Sequence, residues 1–280
     1  MHLGLIILLL CSTLATNQVS YFNQVTSSEI SKNEAFVLSD NYNEQLDIKT
    51  GYGSETGRWF ISKKGGHIGF SISGGYQKNG NTVYAELLDD LPNKDVRVRL
   101  TKLDKSYHSI IVLDEKIISS KHTSNKIRYS KQLSQDQDTL YLLSVEVLGG
   151  NKEVEDTLLS VVYVPIQELK SSLSLDKQEY TNEETMILNI INDGPTEIML
   201  GLPYKIQKLY SENWKDVPSK GAVTLQGIRL KPGKKYEQKI SIMDLPEGKY
   251  RILKNVQVMG IKELQNTLDA EFEVVSHENQ

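Results

Sequence analysis

Cysteine is almost missing from the 280-residue chain: the single residue, Cys11, lies in an apolar N-terminal stretch. One thiol cannot form an internal disulfide, and a lone cysteine offers no cysteine-ligated zinc site. The fold therefore depends on hydrophobic cores, which a chain of this length can supply for two domains of ordinary size.

Residue groupings typical of catalysis and metal binding are also missing. No two of the five histidines have metal-ligand spacing, and no Gly-x-Ser-x-Gly elbow occurs. The densest carboxylate groups are Asp89-Asp90 with Asp95, and Asp136 with Asp138, which we interpret as exposed loop charges. The sequence thus predicts no catalytic residue, no metal, no cofactor and no enzymatic activity.

Neither charge sign dominates. The chain has 32 Lys and Arg against 36 Asp and Glu, a formal net charge of −4, and the two signs are interspersed. A nucleic-acid-binding domain would carry a basic stripe or patch. We therefore expect no nucleic-acid partner.

Long apolar runs are missing as well, and the run Leu3–Leu10 is too short to span a bilayer. Together with the small and polar residues that follow, it predicts a signal peptide over residues 1–15, cleaved after Ala15. A lipid on Cys11 is the alternative, although Leu10 occupies the position where a lipoprotein has a small residue. The prediction is a secreted or cell-surface protein that meets the membrane only through this leader or that lipid.

What the chain does have is strand patterning. Fourteen Tyr accompany many Val, Ile and Thr, and short alternating runs recur at even spacing. We predict an all-β chain with two immunoglobulin-like β-sandwich domains in tandem after the signal peptide. The predicted segments are a flexible lead-in at 16–50, a sandwich of unrecognised family at 51–165, a linker at 166–172 and a second sandwich at 173–276. In the first sandwich the predicted strands are Thr82–Leu88, Val96–Leu103, Ser109–Ile118, Lys126–Leu133, Leu140–Leu148 and Thr157–Val164.

The second half of the sequence contains two similar turns. Leu230-Lys231-Pro232-Gly233 precedes Tyr236, and Leu245-Pro246-Glu247-Gly248 precedes Tyr250. Proline fixes φ near −65° and glycine allows the positive φ that closes such a turn. A tyrosine just after the corner is expected to bond its hydroxyl back to the corner backbone, as in immunoglobulin-like sandwiches.

These turns belong to a longer series of short motifs. The series, in order, is Asn189–Gly194, Gly201–Ile206, Trp214–Pro218, Leu230–Gly233 and Gly248–Lys254. Over about residues 170–276 it resembles a bacterial immunoglobulin-like domain of secreted Gram-positive proteins, which implies an extracellular sandwich without assigned catalytic residues. Its layout is also similar to the bacterial intracellular proteinase inhibitor domain. The chain departs from that family because its apolar leader predicts export from the cell.

The function predicted from these observations is non-enzymatic binding of a protein or a wall or carbohydrate ligand of the cell envelope, or structural presentation. As a possible partner-binding surface we select the aromatic residues Trp59, Phe70, Tyr76 and Tyr84, since aromatic side chains supply large amphipathic contact areas. Two alternatives stay open. One is a proteinase inhibitor that acts through the loop Trp214–Ala222; the other is a hydrolase with a close acid or histidine pair in the first domain.

Overall fold

A computed structural model describes residues 35–39, 41–42, 45–91, 93–120, 127–218 and 226–276. Its regular elements are strands, apart from one five-residue helix, α1 (Leu46–Thr50), so the all-β prediction is confirmed. The predicted leader, with Cys11, and residues 16–34 of the predicted lead-in lie outside the described residues.

Eight strands lie before residue 165 and form two sheets. Their bounds are β1 (Phe70–Ile72), β2 (Gly75–Tyr76), β3 (Thr82–Leu87), β4 (Asp95–Leu103), β5 (Ser109–Ser119), β6 (Arg128–Gln132), β7 (Thr139–Leu148) and β8 (Val154–Val164). The strand order is β1-β3-β6 in a three-stranded sheet and β2-β8-β7-β4-β5 in a five-stranded sheet. We call these two sheets the N-terminal sheet pair.

Alternating side chains fill the space between these two sheets. In β4, Val96, Val98 and Leu100 are buried, and in β3 the buried residues are Val83, Ala85 and Leu87. This two-residue period is the pattern of a strand with one face on a core. The sequence pattern therefore predicted these strands close to their observed bounds.

The five-stranded sheet is covered on its second face too. Leu38 and Leu46 pack there with Leu103, Leu140 and neighbouring aromatic rings. Because both faces are covered, β7 is buried at every one of its ten positions, as suits its place in the middle of the sheet. The described part of the expected flexible lead-in differs from that expectation, since it carries α1 and packs on the sheet.

Ten strands follow and form the C-terminal sheet pair. Their bounds are β9 (Ser171–Leu175), β10 (Glu179–Thr181), β11 (Thr185–Asn192), β12 (Ile198–Gly201), β13 (Lys205–Tyr210), β14 (Asn213–Asp216), β15 (Gly227–Leu230), β16 (Lys235–Ser241), β17 (Gly248–Val258) and β18 (Ile261–Val275). A three-stranded sheet has the order β16-β11-β9. The opposing seven-stranded sheet has the order β10-β18-β17-β12-β15, with β13 and β14 continuing from β17.

The tyrosine corner has the predicted geometry. Tyr250 is fully buried, and its hydroxyl donates a hydrogen bond to the carbonyl oxygen of Pro246, four residues upstream. Its ring stacks on Phe272, with 5.4 Å between centroids. The bond holds the turn against the start of β17, so the corner and the core are joined by one side chain.

The N-terminal and C-terminal sheet pairs belong to one compact unit that begins at Ala35, and a buried carboxylate joins them. Glu197 Oε2 accepts hydrogen bonds from the Tyr76 hydroxyl (2.7 Å) and from Arg229 Nη2 (2.7 Å). Arg229 Nη2 also donates to the Leu38 carbonyl (3.3 Å), and Gly260 lies so close to Tyr76 that a Cβ there would be 2.4 Å from the tyrosine Cβ. We call this cluster the joint.

Candidate functional site

The outer edge of the five-stranded sheet is strand β5. Antiparallel pairing with β4 occupies its inner side, and no strand in the described residues pairs with its outer side. The opposite edge, β2, has only two residues and lies beside the joint through Tyr76. An unpaired edge presents a row of free backbone N–H and C=O groups to other chains.

Strand β5 is also unusually apolar for an exposed edge. Five of the twelve large hydrophobic residues that are exposed within the described ranges belong to it: Ile110 (59% exposed), Ile111 (55%), Val112 (47%), Leu113 (45%) and Ile117 (50%). We call β5 with these five side chains the apolar edge. A concentration of exposed apolar residues on one long edge strand marks an interaction surface or an aggregation hazard.

Local sequence explains why this segment is a strand. Its β-branched residues favour extended backbone, and a tight turn after β4 directs the chain back. In that turn Asp104 Oδ1 accepts hydrogen bonds from the backbone N–H groups of Ser106 and His108, both at 2.8 Å, and these bonds lower the pKa of Asp104. Register shifts against β4 occur around Leu113 and Ile110, so the first half of β5 is bulged and the second half is regular.

Charges divide the apolar residues of β5 into two groups. Asp114 accepts hydrogen bonds from Lys131 Nζ (2.9 Å) and the Tyr129 hydroxyl (2.8 Å), and these bonds lower its pKa. On the other face, Glu115 binds Arg99 Nε at 2.6 Å, and Arg99 also lies 3.6 Å from Glu146. The two acids of β5 are therefore tied to neighbouring strands, whereas its five exposed apolar side chains face solvent.

Other edges are protected by charge. Strand β16 is one edge of the second three-stranded sheet, and its exposed positions are Lys235, Glu237, Lys239 and Ser241. The first two form an ion pair of 2.6 Å. Charged side chains, lysine above all, keep edges from pairing with other chains. Strand β16 thus presents charged side chains where β5 presents apolar ones.

Two of the four predicted aromatic residues are half-buried against the N-terminal core. Trp59 donates its indole N–H to Glu155 Oε2 (2.8 Å), and the centroid of its ring lies 5.2 Å from Lys94 Nζ. Phe70 makes an edge-to-face contact with Phe60, at 6.0 Å between centroids. Since Phe70 is opposite buried Leu87 in the sheet, its side chain faces the core.

The other two predicted residues lie elsewhere. Tyr76 is part of the joint, where burial and the Glu197 carboxylate raise its pKa. Tyr84 is 44% exposed on the outward face of β3 and lines a cavity of about 450 Å³ with Arg128 of β6 and Lys116 of β5. The four residues therefore do not form one surface, because Trp59 and Phe70 pack against the core and Tyr76 belongs to the other sheet. Tyr84 alone of the four borders the apolar edge.

Sequence reasoning placed the strand of the apolar edge but did not predict that its apolar side chains are exposed at a sheet edge. It predicted a strand over Ser109–Ile118, and the structure has Ser109–Ser119. The available signal was the run Ile110–Leu113, in which four apolar residues follow one another instead of alternating. Such a run is equally typical of a strand buried on both faces, so sheet order was needed to interpret it.

Acids buried in the N-terminal sheet pair have structural partners. Glu146 is paired with Arg97 at 2.6 Å, and Asp156 accepts hydrogen bonds from backbone N–H groups. His108 forms a solvent-exposed pair with Asp104 at 3.2 Å. In the part of the chain that the structure describes, no three His, Cys, Asp or Glu side chains are grouped to hold a metal ion.

The loop named for the inhibitor alternative is described only in part. Trp214 lies in β14 with its ring 4.7 Å from the Arg251 guanidinium, and residues 219–222 lie outside the described residues. Across the described ranges, no helix has the length and apolar character needed to cross a membrane.

Comparisons with solved structures gave distant similarities. One is with red sea bream transglutaminase: 10% identity, TM-score 0.28, covering 86% of this chain and 34% of that one. Another is with a chaperone–tip adhesin complex of CFA/I fimbriae biogenesis: 12% identity, TM-score 0.31, covering 74% and 99%. A third is with Escherichia coli alpha-2-macroglobulin activated by porcine elastase: 9% identity, TM-score 0.28, covering 76% and 23%. This chain thus spans only about a third of the transglutaminase and about a quarter of the macroglobulin.

Comparison with curated proteins gave no match. A family model did match: residues 167–273 fit the family described as bacterial Ig-like domain. That range agrees with the resemblance seen in the motifs between residues 170 and 276. Residues 167–273 are therefore assigned to the bacterial immunoglobulin-like domain family.

Proposed function

We propose that this protein is an exported, non-enzymatic bacterial binding module that takes up a strand of a partner protein at the apolar edge. The family match over residues 167–273 favours a binding or structural module. The apolar leader of the sequence supports export to the cell surface or the medium. The observation that carries the proposal is the unpaired, apolar edge strand β5.

Strand addition uses both properties of β5. An incoming extended segment satisfies the outer backbone groups, and its alternate side chains cover the apolar ones. The five exposed side chains supply the burial, since removing apolar surface from water stabilises a complex by roughly 25 cal/mol per Å² before ordering costs. Backbone pairing and apolar burial together specify an extended protein segment as the ligand.

A charge at the apolar edge tests the proposal. We expect Ile111→Lys to reduce capture of a cell-envelope protein by the full chain at least tenfold, because the new ammonium must be desolvated when a strand docks. Met243→Lys, at a side chain that is 68% exposed in the C-terminal sheet pair, is the matched control. Both substitutions are on the surface, so circular dichroism should show unchanged folding.

The retained protein is identified by mass spectrometry, and its affinity for the wild type and for both variants is then measured by calorimetry. Equal affinity for wild type and Ile111→Lys would overturn the proposal.

A further inference from the structure

The apolar edge has a chemical pattern that matches itself. The pattern is centred on Glu115, with the acid Asp114 directly before it and the base Lys116 directly after it. Two apolar residues lie beyond each of these charges, Val112-Leu113 on one side and Ile117-Ile118 on the other. When a strand pairs antiparallel with a second copy about a two-fold axis, a residue at distance n before the centre faces the residue at distance n after it. We propose that the partner of β5 is a second copy of this chain, paired with Glu115 opposite Glu115 of that copy.

This inference rests on the proposed function, since it names the partner of the same edge. In the proposed register Asp114 faces the Lys116 of the second copy, and this opposite-charge pair occurs twice. Beyond this pair, Ile117 of each copy meets the bulged apolar pair Val112-Leu113 of the other. Opposite charges and apolar pairs stabilise directly opposed positions in a sheet, so both favour this alignment.

Glu115 is the unfavourable position, because like charges directly opposite each other destabilise a strand pair. Its carboxylate is, however, held 2.6 Å from Arg99 Nε of its own chain. In the dimer the two carboxylates are accompanied by two guanidinium groups, which balances the charge at the centre. The register shift around Leu113 leaves the six residues from Asp114 to Ser119 as the regular part of the strand.

Shifting the register removes this match. Centring the pair on Asp114 places Leu113 opposite Glu115 and Val112 opposite Lys116, so that apolar side chains face charges. Centring it on Lys116 opposes two ammonium groups and places Glu115 opposite Ile117. Centring it on Val112 leaves Asp114 opposite the apolar Ile110. The charge pattern therefore selects one register of a two-fold dimer, in which two five-stranded sheets form one continuous sheet.

The first experiment is sedimentation of the full chain over a range of concentrations, for wild type and Lys116→Glu. The variant places a second carboxylate opposite Asp114 of the second copy, so we expect its dimer dissociation constant to rise at least tenfold. Lys239→Glu, the same change at an exposed position of the edge strand β16, is the control and should dimerise like wild type.

The second experiment tests the register itself. Glu115→Cys, in a Cys11→Ser background, places two thiols at directly opposed positions, within reach of a disulfide. With diamide as oxidant we expect a covalent dimer, and none from Met243→Cys in the same background.

The outcomes separate this inference from the proposed function. A chain that stays monomeric, yet captures another protein in a way that Ile111→Lys abolishes, overturns the second copy as partner and leaves the proposed function standing. If hydrogen exchange instead shows β5 protected in a monomer, another part of the chain covers it, and both this inference and the proposed function are overturned. A dimer that neither Lys116→Glu nor Ile111→Lys weakens overturns the second copy as partner of β5; if capture is also unchanged by Ile111→Lys, the proposed function fails as well.

Discussion

Among single residues, Lys254 is the most unusual, because it is a buried ammonium with no carboxylate partner within the described ranges. It is 1% exposed, and its Nζ donates to the carbonyl of Leu202 (3.0 Å) and to Gln238 Oε1 (2.6 Å). Burial disfavours the charged form and lowers its pKa from 10.5 to about 8. Two hydrogen bonds to neutral oxygens only partly replace the lost hydration.

The lowered pKa predicts a rise in stability with pH. Between pH 8 and 9.5 the unfolded chain still holds the Lys254 proton while the folded chain releases it, so the free energy of unfolding should increase by about 1–2 kcal/mol over this window. Urea unfolding of the wild type and of Lys254→Met measures it, since the variant lacks this increase. An identical pH dependence in both proteins would show that the burial of Lys254 does not shift its pKa.

Contacts of single residues also show which interactions can be predicted from the sequence. The bond from Tyr250 to Pro246 was predictable because both partners belong to one turn with its own residue signature. The contact of Tyr76 with Glu197 was not, because 121 positions separate the two residues. Local pairs carry a local signal, and distant pairs depend on the packing of whole sheets.

At the scale of elements, one carboxylate fixes a segment that has little regular structure of its own. Asp156, in β8, accepts hydrogen bonds from the backbone N–H groups of Thr56 (2.8 Å), Trp59 (2.8 Å) and Phe60 (3.0 Å). Burial raises its pKa, but the backbone hydrogen bonds outweigh burial and the net pKa is lowered. Asp156 thereby holds Trp59 and Phe60 against the N-terminal core.

We expect Asp156→Ala to lower the free energy of unfolding at pH 7 by about 3 kcal/mol, since buried backbone N–H groups lose a charged acceptor. Because the folded-state pKa is below the unfolded value, this stabilisation is full above the unfolded pKa and is lost as the pH falls through the folded one. Chemical unfolding at pH 7 and pH 3 measures both effects, with the exposed Asp90→Ala as control. A loss below 1 kcal/mol at pH 7 would mean that water replaces the carboxylate.

Strand bounds and edge positions also differ in this respect, since neighbouring residues determine the bounds and distant pairings determine which strand is an edge. The sequence predicted β5 as Ser109–Ile118, and the structure has Ser109–Ser119. It gave no indication that β5 is an edge strand, nor that its apolar side chains stay exposed. Edge position follows from sheet order, and sheet order is set by pairings between distant segments.

At the scale of the whole molecule, the joint connects the two sheet pairs through a buried ion pair. Glu197 is 1% exposed and binds Arg229 and Tyr76 at once. Removing one member of a buried ion pair leaves the other charge without compensation. We therefore expect the joint to couple the stability of the two sheet pairs.

We expect Glu197→Gln to lower the free energy of unfolding by about 3 kcal/mol and to separate the unfolding of the two sheet pairs. Trp59 and Trp214 report on the N-terminal and C-terminal sheet pairs respectively, so urea transitions are followed in Trp59→Phe and Trp214→Phe backgrounds. The wild type should show coincident transitions and the variant separate ones. Glu237→Gln, at an exposed position of β16, should change neither; coincident transitions in Glu197→Gln would show that the joint does not couple the sheet pairs.

The sequence by itself determined the strand class, the approximate bounds of the strands before residue 165, the tyrosine corner and the family resemblance of the second half. Each of these depends on neighbouring residues, through side-chain alternation, turn chemistry and motif order. Only the tertiary structure decided that Phe70 faces a core, that Tyr76 belongs to the joint and that β5 is an open edge. The physical reason is that burial is set by which strands pair and which sheets face each other, and those contacts join residues far apart in the chain.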